Sequence, residues 1–204
     1  MRRLVLAALV VTLLAGVSLS QTTQPTECKL TREQAPAVRG VRLGMSADDL
    51  LASVPGISDD DRNNIAHANG FPNYGAIALS VYPRAPASQR FDGIDYYYIR
   101  LFDGQLVQYS VYYRGSNSIP RGPYWPDMDV LVAKFADAYH LPGTKDWVND
   151  GPRRLLRCQG FEARVDSVSG AAIITVSTPG NPWVAEAKKR AAEGEEQLRR
   201  NFKP

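Results

Sequence analysis

The chain has 204 residues, 24 of them Lys or Arg and 21 Asp or Glu, for a net charge of +3. Without Arg2 and Arg3 the balance is 22 basic to 21 acidic residues, a charge of +1. Such neutrality excludes the electrostatic footprint that nucleic-acid binding requires, and the length suits one domain built of two subunits or two small domains sharing a core.

Residues 1–20 read as a secretory signal peptide. Arg2-Arg3 precede an apolar core, Leu4 to Val17, and Ser18-Leu19-Ser20 offer small residues for cleavage. The core is about 14 residues, short of the roughly 20 that span a bilayer, so no stable membrane span is expected once the leader is removed. Retention as an N-terminal anchor is the other reading. No Cys closely follows the core, which argues against a lipoprotein.

Residues 21–37, with Pro25 and Pro36, form a polar N-terminal arm. The first unit, 38–114, opens on a short strand at Val38–Leu43. Ser46 caps a helix, with Asp49 replying as a variant of the capping box. Ala47, Leu50, Leu51 and Val54 fall on one helical face, and Pro55-Gly56 stop it. A polar insert at 57–73 carries a second helical segment from Ser58 to about Ala68. Tyr74–Tyr82 reads as a strand and Pro83–Arg90 as a loop.

Asp103-Gly104 lies between two strand-like runs, Ile94–Phe102 and Gln105–Tyr113, a strong two-residue hairpin signal. A regular register sets Ile94 against Tyr113, Tyr96 against Val111, Tyr98 against Tyr109, Arg100 against Val107 and Phe102 against Gln105. Eight of these ten are apolar or aromatic, so this face is predicted to be the core. Asp95, Tyr97, Ile99 and Leu101, with Tyr112, Ser110, Gln108 and Leu106, form the mixed, water-facing side.

Residues 115–126 read as a linker. A second unit, 127–180, follows: Asp127 caps a helix with a stripe of Met128, Leu131, Val132, Phe135, Ala138 and Tyr139, and Pro142-Gly143 end it. Three strands are expected at Arg153–Gln159, Phe161–Ser167 and Ala171–Thr178, with Ser169-Gly170 turning between the last two. Residues 181–204 form a C-terminal helix capped by Asn181 and begun by Pro182. Its stripe of Trp183, Val184, Ala187, Ala191 and Leu198 is thin, and the pairs Glu186/Arg190, Glu195/Arg199 and Glu196/Arg200 support it. The same order of helix, Pro-Gly and three strands occurs twice. The expected class is therefore α+β: two αβββ units forming a mainly antiparallel sheet with helices on one face, plus the C-terminal helix.

Leu43-Gly44-Met45-Ser46, followed by Asp49-Leu50-Leu51 and Pro55-Gly56, resembles the opening of the helix–three-strand modules of small bacterial envelope proteins. These include the BamE (SmpA/OmlA) outer-membrane assembly lipoproteins and the tandem-module β-lactamase inhibitor proteins. The resemblance implies a non-catalytic, protein-binding role through the sheet and assigns no binding residues.

Cys28 and Cys158 are the two cysteines. In an exported chain they read first as a disulfide, worth about 4–5 kcal/mol in the ideal chain-entropy limit. Two buried free thiols are the alternative. Catalytic signals are sparse. His140 sits at a helix C-terminus and His67 ends the polar insert, and neither has a recognisable nucleophile beside it. Asp59-Asp60-Asp61 suggests a calcium loop, but Asn64 and Gly70 stand where Gly and Glu are needed. No residue set points to a metal or a cofactor. Eight of the ten tyrosines lie between Tyr74 and Tyr113. On the face read as open, Tyr97 and Tyr112, with Tyr124 and Trp125 in the linker, are the candidate binding anchors. The expected function is a secreted or periplasmic, non-catalytic binding module for a protein or cell-envelope partner. The alternative is an extracellular hydrolase acting on a polymer through carboxylates such as Asp92, Asp95 or Asp103. A small-ligand carrier is a third reading.

Overall fold

A computed structural model describes residues 27–70, 73–83, 91, 93–113, 127–168 and 171–202. The expected leader, the linker at 115–126 and the turn at Ser169-Gly170 lie outside the described residues. Among those described, no helix is long and apolar enough to cross a membrane.

The helices begin where the capping residues place them. Ser46 accepts the Asp49 N–H at 3.1 Å and donates its hydroxyl to the Asp49 carboxylate at 2.8 Å, starting α1 (Ala47–Ser53). Asp49 thus answers the Ser46 side chain. α1 buries Ala47 and Leu50 along one stripe, with Val54 just beyond its end. Ser58 caps α2 (Asp59–Ala66) in the same way, through the Asp61 N–H at 3.1 Å. Its Asp59, Asp60 and Asp61 occupy the first turn, where the helix dipole favours negative charge. Asp127 caps α3 (Met128–Ala138) through the Asp129 N–H at 3.0 Å. The buried stripe of α3 is Leu131, Val132, Phe135 and Ala136, while Ala138 is exposed.

The end of α3 is set before Pro142-Gly143. His140 takes the left-handed conformation at φ 53°. The Leu141 N–H reaches the Ala136 carbonyl at 2.8 Å and the His140 N–H the Asp137 carbonyl at 3.3 Å. That is a Schellman closure, and it gives His140 a backbone role. Asn181, at the start of α4 (Pro182–Asn201), is also left-handed and makes no side-chain cap bond. Its amide oxygen instead accepts from Trp183 Nε1 at 3.2 Å.

Seven strands make one antiparallel sheet: β1 (Ala76–Val81), β2 (Ile94–Phe102), β3 (Gln105–Tyr113), β4 (Val148–Asp150), β5 (Arg153–Arg157), β6 (Glu162–Val168) and β7 (Ala171–Ser177). Their spatial order is β1-β2-β3-β7-β6-β5-β4. Each half therefore contributes a meander whose third long strand, β3 or β7, meets the other at the centre. The class is α+β, as expected. The short edge strand β4 was not expected, because Val148-Asn149-Asp150 offers no run of apolar residues. Val38–Leu43 is not a strand but a tight turn, with Val38 bridging Val41.

The 94–113 hairpin turns at Asp103-Gly104, and β3 keeps Tyr109 and Val111 on the expected core side, but the faces of β2 beyond Ile94 are exchanged. Ile94 opposes Tyr113, and Leu101 and Phe102 oppose Leu106 and Gln105; between these, pairing slips by one residue, setting Tyr97 against Val111 and Ile99 against Tyr109. Irregularities fall between Ile94 and Tyr96 and between Arg100 and Leu101. A one-residue slip exchanges faces. Tyr97, Ile99, Leu101, Leu106, Tyr109 and Val111 are therefore the core, each no more than 1% exposed. Tyr96, Tyr98, Arg100 and Phe102 point the other way.

The N-terminal arm explains how two tyrosines enter the core. The Tyr97 hydroxyl donates to the Val38 carbonyl at 3.3 Å, and the Tyr109 hydroxyl to the Pro36 carbonyl at 2.6 Å. Both polar ends are thereby satisfied where water is excluded. Farther out, Cys28 and Cys158 form a disulfide across 130 residues of sequence. The Gln159 and Gly160 N–H groups bond the Cys28 and Leu30 carbonyls, each at 2.9 Å. A Cβ on Gly160 would overlap the backbone of Thr31 and Arg32, so the arm lies directly on this turn.

Candidate functional site

The sheet face opposite the core carries an aromatic row. The Tyr82 and Tyr96 rings lie 5.2 Å apart, and Tyr96 stacks on Tyr112 at 4.0 Å with the planes 13° from parallel. Strand pairing explains the order: β1 leads into Tyr82 beside Tyr96 on β2, which opposes Tyr112 on β3. Tyr82 is 53% exposed. Burial first, then the Tyr112 hydroxyl beside it, pushes the Tyr96 phenol up to about 12, so it remains a protonated donor at neutral pH.

The row continues across the sheet into charge. Tyr112 opposes Ile173, and Ile173 opposes Asp166. Asp166 is buried, and its carboxylate accepts from Arg153 Nε at 2.7 Å and Arg164 Nε at 3.0 Å. In the next row Tyr98 opposes Ser110, and Ser110 Oγ lies 2.8 Å from Thr175 Oγ1. This face therefore runs from tyrosines at one edge to an Arg–Asp–Arg group at the other.

α4 covers one end of the same face. The Trp183 ring lies 6.4 Å from Phe102, and the Arg190 guanidinium sits 4.8 Å above Phe102. The Arg100 guanidinium lies 5.4 Å from the Tyr98 ring centre and 5.5 Å from that of Trp183. Arg100 Nε is buried without a hydrogen-bond partner among the described residues. The α4 stripe has no buried residue, and Leu198 is 51% exposed. The expected i, i+4 pairs are present: Glu186 with Arg190 at 2.9 Å, Glu195 with Arg199 at 3.5 Å, and Glu196 with Arg200.

Of the four expected anchors, Tyr112 belongs to this surface. Tyr97 does not. It is fully buried on the core face, for the register reason given above, and offers nothing to a visiting molecule. Tyr124 and Trp125 lie outside the described residues. Tyr82, Tyr96, Tyr98 and Arg100 take the place of Tyr97. Their signal in the sequence is Arg100 itself, since a guanidinium amid an apolar row suits a face open to water better than a core.

The carboxylates considered for hydrolysis include two that the structure describes. Asp95 is exposed at the start of β2, and Asp103 is engaged by Arg190 through two bonds of 2.7 and 3.0 Å. Asp92 lies outside the described residues. His67 follows α2, its Nδ1 2.8 Å from the Asn63 carbonyl, and His140 closes α3. Among the described residues, no group of three or more His, Cys, Asp and Glu side chains is placed to hold a metal ion. Comparison with protein-family models, curated proteins and solved structures finds no match.

Proposed function

We propose that this is an exported, non-catalytic binding module that holds a protein partner on its outer sheet face. The observation that carries this reading is the Tyr82–Tyr96–Tyr112 stack, solvent-accessible at Tyr82 and mounted on rigid strands. Tyrosines fixed in this way lose little side-chain entropy on contact and offer both an apolar ring and a hydroxyl. The flanking Arg153–Asp166–Arg164 group supplies a polar rim, the usual surround of an aromatic interface centre. Export is supported by the disulfide, which an oxidising compartment maintains, and by the leader-like N-terminus. The likeness of residues 43–56 to envelope modules agrees with both.

Site-specific photo-crosslinking tests the proposal. A benzoyl-phenylalanine at position 82, on the full chain in its native host, should give a discrete adduct with one protein. The additional change Tyr112→Ala should remove that adduct, and the same probe at position 198 on α4 should not form it. A smear without a discrete adduct, or equal labelling from both positions, counts against this surface.

A further inference from the structure

A cavity of about 420 Å³ opens on the core side of the sheet, between α3 and the central strands. Leu131 and Phe135 from α3 and Ile174 from β7 form its floor, and all three are buried. Tyr113 and Tyr139 form half-buried walls, and Arg39 and Lys134 stand exposed at the rim. Among the described residues, no acidic side chain lines the cavity. Among the described residues, neither Arg39 nor Lys134 belongs to a salt bridge.

Three physical features converge here. First, the volume falls within the roughly 300–1,000 Å³ of small-molecule sites. Second, the apolar floor and cationic rim form two zones, one for hydrocarbon and one for negative charge. Third, the Arg39 cation is carried on a rigid turn. Arg39 is left-handed at φ 54°, beside Gly40 at φ 90°, and the Val41 N–H closes the turn on the Val38 carbonyl at 3.0 Å. A non-glycine residue rarely occupies that conformation. Burial also raises the Tyr139 phenol, so its hydroxyl stays a protonated donor at neutral pH.

We propose that this cavity binds a small amphiphile with one anionic head, of the medium-chain carboxylate class. The head sits between Arg39 and Lys134 within reach of the Tyr139 hydroxyl, and the apolar body lies against Leu131, Phe135 and Ile174. The site lies on the opposite side of the sheet from the Tyr82–Tyr96–Tyr112 face and stands or falls independently of it.

Isothermal titration of the disulfide-bonded chain with decanoate, and with decanol as the neutral counterpart, tests this. Decanoate should bind and decanol should bind at least about tenfold more weakly, the ratio expected for one charge-assisted hydrogen bond. The pair Arg39→Asn and Lys134→Gln should weaken decanoate by a similar factor. Asn tolerates the left-handed backbone at 39, so the turn is preserved. Independently, Ala138→Trp places a bulky ring at the exposed mouth and should abolish binding without altering the melting temperature. No heat with decanoate, equal binding of decanol, or decanoate affinity unchanged in both the double variant and Ala138→Trp overturns the proposal.

Discussion

Asp103 and Arg190, 87 residues apart in the chain, are joined by two hydrogen bonds of 2.7 and 3.0 Å. Asp103 shapes the β2–β3 turn, with φ at 49°, and its carboxylate anchors α4 across that turn. One residue therefore serves both the hairpin and the helix that covers the outer face. The carboxylate and Glu186 hold the Arg190 guanidinium even further above its usual pKa range.

Asp103→Asn separates the two roles. Asn accepts a left-handed backbone, so the hairpin should be retained while the charge is lost. Amide hydrogen exchange across Pro182–Asn201 should accelerate severalfold, with little change in β2 and β3. Unchanged protection in α4 would show that the Phe102–Trp183 contact alone holds the helix.

Tyr109→Phe removes the hydroxyl that satisfies the Pro36 carbonyl in a fully buried setting. The expected cost is about 1–3 kcal/mol, that of an orphaned buried acceptor. The longer Tyr97 bond at 3.3 Å should contribute less. Truncation to Tyr97→Ala should cost about 3–5 kcal/mol through the cavity left behind. Urea midpoints of Tyr109→Phe, Tyr97→Phe and Tyr97→Ala, read at constant slope, check this order.

The Cys28–Cys158 bond joins the arm to the β5–β6 turn. Its removal as Cys28→Ser with Cys158→Ser should cost about 2–4 kcal/mol. Gly160→Ala should cost about 1–3 kcal/mol, because the new methyl group would collide with the arm backbone at Thr31 and Arg32, which must shift to admit it. Denaturation of both variants with intact m-values is the measurement.

Alkaline titration bears on the stacked tyrosines. An unfolded tyrosine ionises near pH 10, whereas Tyr96 in the folded chain ionises at about 12. The unfolded state therefore releases this proton first. The associated stability is fully present below about pH 10 and is lost as pH rises towards 12. Tyr109 and Tyr113, raised by burial, add losses of the same sign. Tyr96→Phe should make the fall in stability above pH 10 shallower and remove one late component from the absorbance titration at 295 nm. An unchanged titration curve would contradict the assignment.

Local chemistry made much of this fold legible. Ser46, Ser58 and Asp127 announce helix starts through bonds that span only two or three residues. Asp103-Gly104 announces its turn in the same way. The cysteine pair was readable because two thiols in a chain read as exported have few other uses. What was hidden depends on partners far along the chain. The faces of β2 follow from a slip beside Asp95, and from Pro36 and Val38 lying where Tyr109 and Tyr97 can donate to them. Tyrosine suits either side of a sheet, so counting apolar residues per face could not decide between the two. The cavity beneath Arg39 was hidden for the same reason, since α3, β7 and the 38–41 turn meet there only in three dimensions.

The junction of the two meanders has a consequence for the chain's integrity. β3 and β7 are the innermost strands and belong to opposite halves. A protease cut between Tyr113 and Asp127 would leave one covalent molecule, because Cys28 and Cys158 also lie in opposite halves. Subsequent reduction would leave only the β3–β7 pairing and the shared core to hold the halves together, and if these part, each fragment presents a long, unpaired edge. Those edges are templates for reassociation with each other, or for aggregation with copies of themselves. Thiol conditions would therefore decide whether a nicked chain survives as a working unit.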